Sequence, residues 1–224
     1  MSQIDRRSVL SRAVLLSVST ACTLAMTACA DDPASPRPEP APETGPEGTS
    51  PPRTVIVYFS RPGENYWYGD RKDLEVGNTQ VVAESIAELI DADIFQIGAA
   101  EPYPHDYDET VERNREEQQT DARPEIASGV PDLSEYDSII LGCPVWNTRI
   151  PTIVRTLLDG ADLTGKTIYP FVTFAIAEGR VFNDYAELYP AATIKVGLAV
   201  QGEEAADAGT QIAAWVAELG LASR

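Results

Sequence analysis

Metal-ligand chemistry is nearly absent from this chain: its 224 residues include one histidine, His105, and three cysteines, with no CxxC or HExxH spacing. Zinc sites need clustered thiolates and imidazoles, so metal catalysis drops out of the reading early. Cys22 and Cys29 lie in or just after an apolar N-terminal stretch, which leaves too few thiols for a disulfide framework. Positive charge is scarce too, with 17 Lys and Arg against 35 Asp and Glu, a net charge of −18. Residues 1–28 contribute +2, from Arg6, Arg7 and Arg12 against Asp5, so the remainder carries −20. Such a surface repels a phosphate backbone, and no nucleic-acid partner is expected. The uncharged, mostly apolar run 13–28 has 16 residues, short of the roughly 17–25 that a spanning helix uses.

That run follows Asp-Arg-Arg-Ser-Val-Leu at 5–10 and ends in Met-Thr-Ala-Cys at Cys29. It resembles a twin-arginine signal joined to a lipobox, with residues 1–28 removed and Cys29 lipidated. Cys22, after Ser-Thr-Ala, is the second choice, and an uncleaved single-span anchor is the alternative to cleavage. The resemblance implies export of a folded protein and a cell-envelope lipoprotein tethered on the outer side of the cytoplasmic membrane. Residues 29–52 are dense in Pro, Glu, Asp and Gly and, after Cys29, hold no large apolar side chain, which predicts a disordered spacer. The folded domain is expected over 53–224.

Within that domain, 54–59 is a continuous β-rich run, the pattern of a parallel strand covered on both faces. Runs at 94–97, 138–141, 167–173 and 194–200 complete a set of five, with helical patterns between them. Val82, Ile86, Leu89 and Ile90 share one stripe, as do Ile150, Ile153, Val154, Leu157 and Leu158 before Gly160. Ile212, Trp215, Val216 and Leu219 make a third stripe, closed by Gly220 as a C-terminal cap. The 106–120 segment opens with Asp106 and Glu109 in capping-box spacing, but its later turns are polar and predict a solvated surface helix. Strands alternating with helices imply right-handed crossovers, a parallel sheet covered on both faces, and ligands at the carboxyl ends of the strands.

Chemistry gathers in the loops after these strands. Ser60 and Arg61 follow the first strand, and Gly77, Asn78 and Thr79 open the first helix after an insertion at 62–76. Tyr-Phe-Ser…Gly-Asn-Thr resembles the phosphate loop of the flavodoxin family, where small hydroxyls and helix N-terminal N–H groups hold a phosphate monoester. The loop after the third strand, Gly-Cys-Pro-Val-Trp-Asn-Thr-Arg-Ile-Pro at 142–151, looks like that family's isoalloxazine loop. Pro144, Val145, Trp146, Asn147 and Thr148 are its expected ring contacts, with Trp146 offering a rigid aromatic face. Thr173, Phe174 and Gly179 are carried over from the third loop, where Ala175 and Ile176 depart from the family's glycine-rich pattern. The resemblance implies a flavodoxin-like three-layer α/β sandwich with a five-stranded parallel sheet in order 2-1-3-4-5 and helices on both faces. It also implies FMN as cofactor, a monomer, and a redox partner protein or quinone.

Three functions stay open at this stage. The first is an FMN electron carrier without catalytic acid or base, whose acidic surface disfavours added negative charge on the flavin and steers basic partners inward. The second is an FMN-dependent NAD(P)H or quinone reductase, with Arg149, Arg180, Tyr66, Trp67 and Tyr68 lining a nicotinamide pocket. The third is a cofactor-free binding module. The 62–76 insertion is expected near the flavin as a lid. Gly160 to Thr167 spells the Walker A string GxxxxGK[ST], yet it leaves a helix and enters a strand, the reverse of a phosphate-binding context. Cys143, without a histidine nearby in sequence, reads as a small buried residue, and His105 as solvated.

Overall fold

The computed structural model describes residues 53–221. The expected signal, both candidate lipidation cysteines and the spacer lie outside the described residues. Strand β1 (Thr54–Phe59) is buried from its second residue onward and pairs in parallel with β4 (Asp93–Ile97) on one side and β5 (Ser138–Pro144) on the other. β6 (Thr167–Phe174) adds beside β5. The far edge is shared by β7 (Thr193–Ile194) and β8 (Leu198–Gln201), which both pair in parallel with β6. In terms of the five expected runs the order is 2-1-3-4-5, as anticipated.

The fifth run is interrupted where one continuous strand was expected. Gly197 sits at the break, and a Cβ there would lie 2.1 Å from a Phe182 ring carbon, so the backbone steps out of the ladder where it passes that ring. The second run departs as well. β4 is an edge strand, and Ile94 and Phe95 are 40% and 43% exposed where cover on both faces was expected.

The two-residue period of β1 divides the core. Val55, Val57 and Phe59 join Leu141, Val172 and the apolar stripes of α3 (Thr152–Gly160) and α4 (Val181–Leu188) on one face. Ile56 and Tyr58 join Ile140, Phe171 and those of α1 (Asn78–Ala87) and α5 (Gly209–Leu219) on the other. Gly220 ends α5 in the left-handed region, as its cap requires. The Walker-like string is an αβ turn. Lys166 spends its ammonium on the carbonyls of Leu133 and Tyr136, at 2.8 and 2.7 Å, and has no helix N-terminus beside it.

Helix α2 (Tyr107–Gln119) has the expected N-cap, the Asp106 carboxylate accepting from the Glu109 N–H at 2.9 Å. Its outer residues are solvated as expected, and the correction is its inner face, where the polar Thr110, Asn114 and Glu117 are buried. The 62–76 insertion forms an antiparallel hairpin, β2 (Gly63–Trp67) and β3 (Asp70–Leu74). Tyr68 and Gly69 at its tip both have positive φ, the requirement of a tight two-residue turn.

Candidate functional site

A cavity of about 350 Å³ opens at the carboxyl ends of β1, β5, β6 and β8, a volume typical of small-molecule sites. Three connections converge on it, as the parallel topology dictates. Ser60, Asn78 and Thr79 line it from the first connection, Pro144, Val145, Trp146 and Asn147 from the second, and Thr173, Phe174 and Ala175 from the third.

At the first connection, α1 begins at Gly77 without a side-chain cap from its own N-cap residue. The Ser60 hydroxyl, arriving from β1, accepts from the Gln80 N–H at 3.1 Å and ties the two halves of the split loop together. Gly77 permits this approach, since a Cβ there would lie 2.3 Å from Ser60 Oγ and 2.5 Å from the Arg61 carbonyl oxygen. The buried Thr79 and Thr173 hydroxyls share a hydrogen bond of 2.7 Å, which fixes the helix start against the end of β6. The start of α1 and small hydroxyls therefore gather at one corner, an arrangement suited to an anionic group.

At the other wall, Trp146 meets Phe59 and Tyr103 edge to face, with ring centroids 5.2 and 4.8 Å apart. A tight turn presents it. The backbones of Trp146 and Arg149 exchange hydrogen bonds of 3.2 and 3.0 Å around Asn147 and Thr148, both at positive φ. For the β-branched Thr148 that region is strained, and the strain is held by neighbours. Gln118 of α2 donates to the Trp146 carbonyl at 2.9 Å and accepts from Asn147 at 2.8 Å, while the Thr148 carbonyl accepts the Arg180 N–H at 2.7 Å.

Glu117 lies beneath this wall, with its carboxylate almost wholly buried. It accepts from Tyr103 at 2.9 Å, Thr152 at 2.6 Å and Arg113 at 2.8 Å. Burial, reinforced by the Glu117 charge, raises the Tyr103 phenol well above its ordinary range, so Tyr103 stays a neutral donor.

The expected site residues are sorted by this geometry. All line the cavity except Gly77, Thr148 and Gly179, which shape the backbone behind it. Gly179 lets the third loop close on the second, since its Cβ would meet the Thr148 carbonyl oxygen at 2.5 Å. Arg61 lines the cavity, but its guanidinium is committed to the carbonyls of Pro104, His105 and Glu64, because the inserted hairpin needs an anchor there. Of the five residues named for a nicotinamide pocket, Tyr66 alone lines this cavity, while Arg149 pairs with Asp184 and Arg180 with Glu187. Trp67 lies under Lys72, 3.7 Å from the ring centroid. His105 is exposed as expected, though its Nε2 lies 3.1 Å from Asp73 of β3.

Asn65 of β2, Tyr107, Thr110, Val111, Asn114 and Arg115 of α2, and Gly202 and Glu203 after β8 also line the cavity and are not among the residues expected from the sequence. The α2 group has a signal: Tyr107, Thr110, Val111 and Asn114 are uncharged residues at i, i+3, i+4 and i+7, and every other residue from Asp108 to Glu117 is charged.

Cys143 is fully buried with its sulfur 3.4 Å from the Tyr185 hydroxyl, and burial pushes its thiol up to about 12. A raised thiol binds its proton more tightly in the folded state, so its contribution to stability is complete below about pH 9 and falls away toward about pH 12. Maleimide treatment of the native protein is expected to leave the Cys143 peptide unlabelled by mass spectrometry. The alkaline loss of stability should be shallower in Cys143→Ala. Labelling at neutral pH without unfolding would contradict the buried assignment.

Sheet order, flanking helices and the rim cavity define a flavodoxin-like α/β domain. The sequence profile of the family described as Flavodoxin matches residues 75–219, and the chain belongs to that family. Putative flavoproteins from Bacteroides uniformis ATCC 8492 and Bacteroides eggerthii DSM 20697 are each 24% identical, with TM-scores of 0.59 and 0.60. The alignments cover 74% and 76% of this chain and 98% and 99% of theirs. A flavoprotein from Lactobacillus acidophilus NCFM, solved in complex with FMN, is 24% identical over 68% of this chain and 95% of its own, with a TM-score of 0.51. No curated protein matches. Among the described residues no group of three or more His, Cys, Asp or Glu side chains could hold a metal ion, and no helix is long and apolar enough to cross a membrane.

Proposed function

We propose that this protein is an FMN-binding electron carrier of the flavodoxin type, exported and held at the membrane through a lipid on Cys29. The observation that carries the FMN reading is the union in one cavity of an anion corner and an aromatic wall: Ser60, Asn78 and Thr79 at the start of α1, and Trp146 opposite. Bound FMN supplies reversible acceptance and release of electrons. The chain's own residues do the rest. The Asn78 and Thr79 backbone and the Ser60 hydroxyl would hold the phosphate, and Trp146, Phe174 and Ala175 would line the ring and exclude water. The charge of −20 carried by the chain after residue 28 disfavours further negative charge on the cofactor and draws in a partner with a basic face.

Support for export comes from the paired arginines Arg6 and Arg7 and the Met-Thr-Ala-Cys ending at Cys29. Titrating the purified full chain with FMN should shift the flavin absorption spectrum and quench its fluorescence with 1:1 stoichiometry; an unchanged spectrum would refute the FMN reading. Membrane fractionation of Cys29→Ser should release the protein, and its retention would refute the anchor.

A further inference from the structure

The cavity carries an anionic group at a place where an anion binder has no evident use for one. Glu203 lies in the 3-10 turn Gly202–Asp207 that follows β8, and it lines the cavity on the same side as Ser60, Asn78 and Thr79. Its side chain is bent inward and held there. One carboxylate oxygen, Oε1, accepts the Tyr68 N–H from the tip of the β2–β3 hairpin at 2.9 Å. The other, Oε2, is buried without a hydrogen-bond partner, and the residue is only 9% exposed. A buried carboxylate oxygen left unpaired is costly unless something that binds later supplies a donor. Gly202 lets the turn pack closely against α1, since a Cβ there would lie 2.6 Å from Asn78 Nδ2.

Which donor fits follows from the surroundings. The basic residues that line the cavity, Arg61 and Arg115, do not serve it: Arg61 is spent on carbonyls, and the Arg115 guanidinium is paired with Glu112. A phosphate dianion accepts hydrogen bonds and would be repelled. A neutral hydroxyl donates, adds no charge and suits a carboxylate beside an anion corner.

We propose that Glu203 is a specificity residue that accepts a hydrogen bond from a hydroxyl of the ligand's polyol chain through Oε2, while Oε1 latches the hairpin over the same site. This rests on the flavin reading and deepens it. Glu203 selects flavins that carry a hydroxylated chain, and the phosphate is recognised elsewhere, at the start of α1. The hairpin thereby senses the ligand, since one carboxylate joins Tyr68 to the cavity.

The test titrates the full-length protein with FMN, riboflavin and lumiflavin, which has a methyl group in place of the polyol chain, following flavin fluorescence. Glu203→Ala is expected to weaken riboflavin and FMN by the same factor, about tenfold, and lumiflavin by less than about twofold. Hydrogen exchange of residues 63–74 without flavin is expected to speed up in Glu203→Ala and stay near wild type in Glu203→Gln, which keeps an acceptor for Tyr68. Equal losses for all three flavins would mean a collapsed cavity and overturn the proposal. Tighter FMN binding with riboflavin unchanged would show a carboxylate that merely repels phosphate, and would overturn it too. Unchanged exchange at 63–74 in Glu203→Ala would remove the latch. Wild-type protein that quenches none of the three flavins would sink the flavin reading along with the proposal, whereas quenching by wild type with no selective loss sinks the proposal alone.

Discussion

Gly77→Ala is expected to cost at least about 100-fold in FMN affinity, close to 3 kcal/mol, measured by fluorescence titration. The φ of −70° at Gly77 is open to any residue, so the effect is one of space and not of backbone freedom. The added methyl would lie 2.3 Å from Ser60 Oγ and 2.5 Å from the Arg61 carbonyl oxygen. The hydroxyl could turn aside, but the carbonyl belongs to backbone anchored by the Arg61 guanidinium, which holds the hairpin and the 104–105 segment. The two halves of the split loop must then separate, and the hydrogen bond from the Gln80 N–H to Ser60 is lost. Forced separation in a packed site should also cost about 1–3 kcal/mol of stability. Binding within a few-fold of wild type would show that this corner does not hold the phosphate.

Glu117→Ala is expected to be the most destabilising single change near the site, by about 3 kcal/mol, because it strands three donors at once. Tyr103 and Thr152 would lose the acceptor they share, and Arg113 its partner. For a domain of this size that corresponds to a melting point lower by roughly 6–12 °C in calorimetry. Glu117→Gln should recover part of the loss, since its carbonyl can still accept one bond. The consequence reaches the site: Tyr103 packs on the Trp146 ring, and Arg113 lies 4.1 Å from the Tyr103 ring centroid, so the wall behind the cavity loosens with the network. A change in melting point below about 2 °C would show that water replaces the carboxylate without cost.

The burial stripes of α1, α3 and α5 were legible because apolar side chains at helical spacing face the core whatever else the chain does: Val82, Ile86, Ile153, Leu157, Ile212 and Trp215 are all buried. α2 was misread by the same rule, which has no term for a polar face that packs inward. Its inward face is Thr110, Asn114 and Glu117, and hydropathy registers those as solvent-facing. Arg61 lines the cavity as expected, but the partners of its guanidinium were not legible. An arginine after a phosphate-loop serine looks like an anion ligand until the inserted hairpin is folded, and then its nearest acceptors are carbonyls.

What the order of residues determined unaided was the alternation of strand and helix, hence a parallel sheet, hence a ligand rim at the carboxyl ends of the strands. Those conclusions follow from local periodicity and the handedness of crossovers, which need no distant partner. Only the tertiary structure decided that α2 walls the cavity, that Tyr66 alone among the inserted aromatics reaches it, and that Glu203 comes to meet Tyr68 at its edge. Glu203 and Tyr68 stand 135 positions apart. No spacing rule links such residues, because what joins them is the closing of a hairpin over the end of a strand that the chain reaches last.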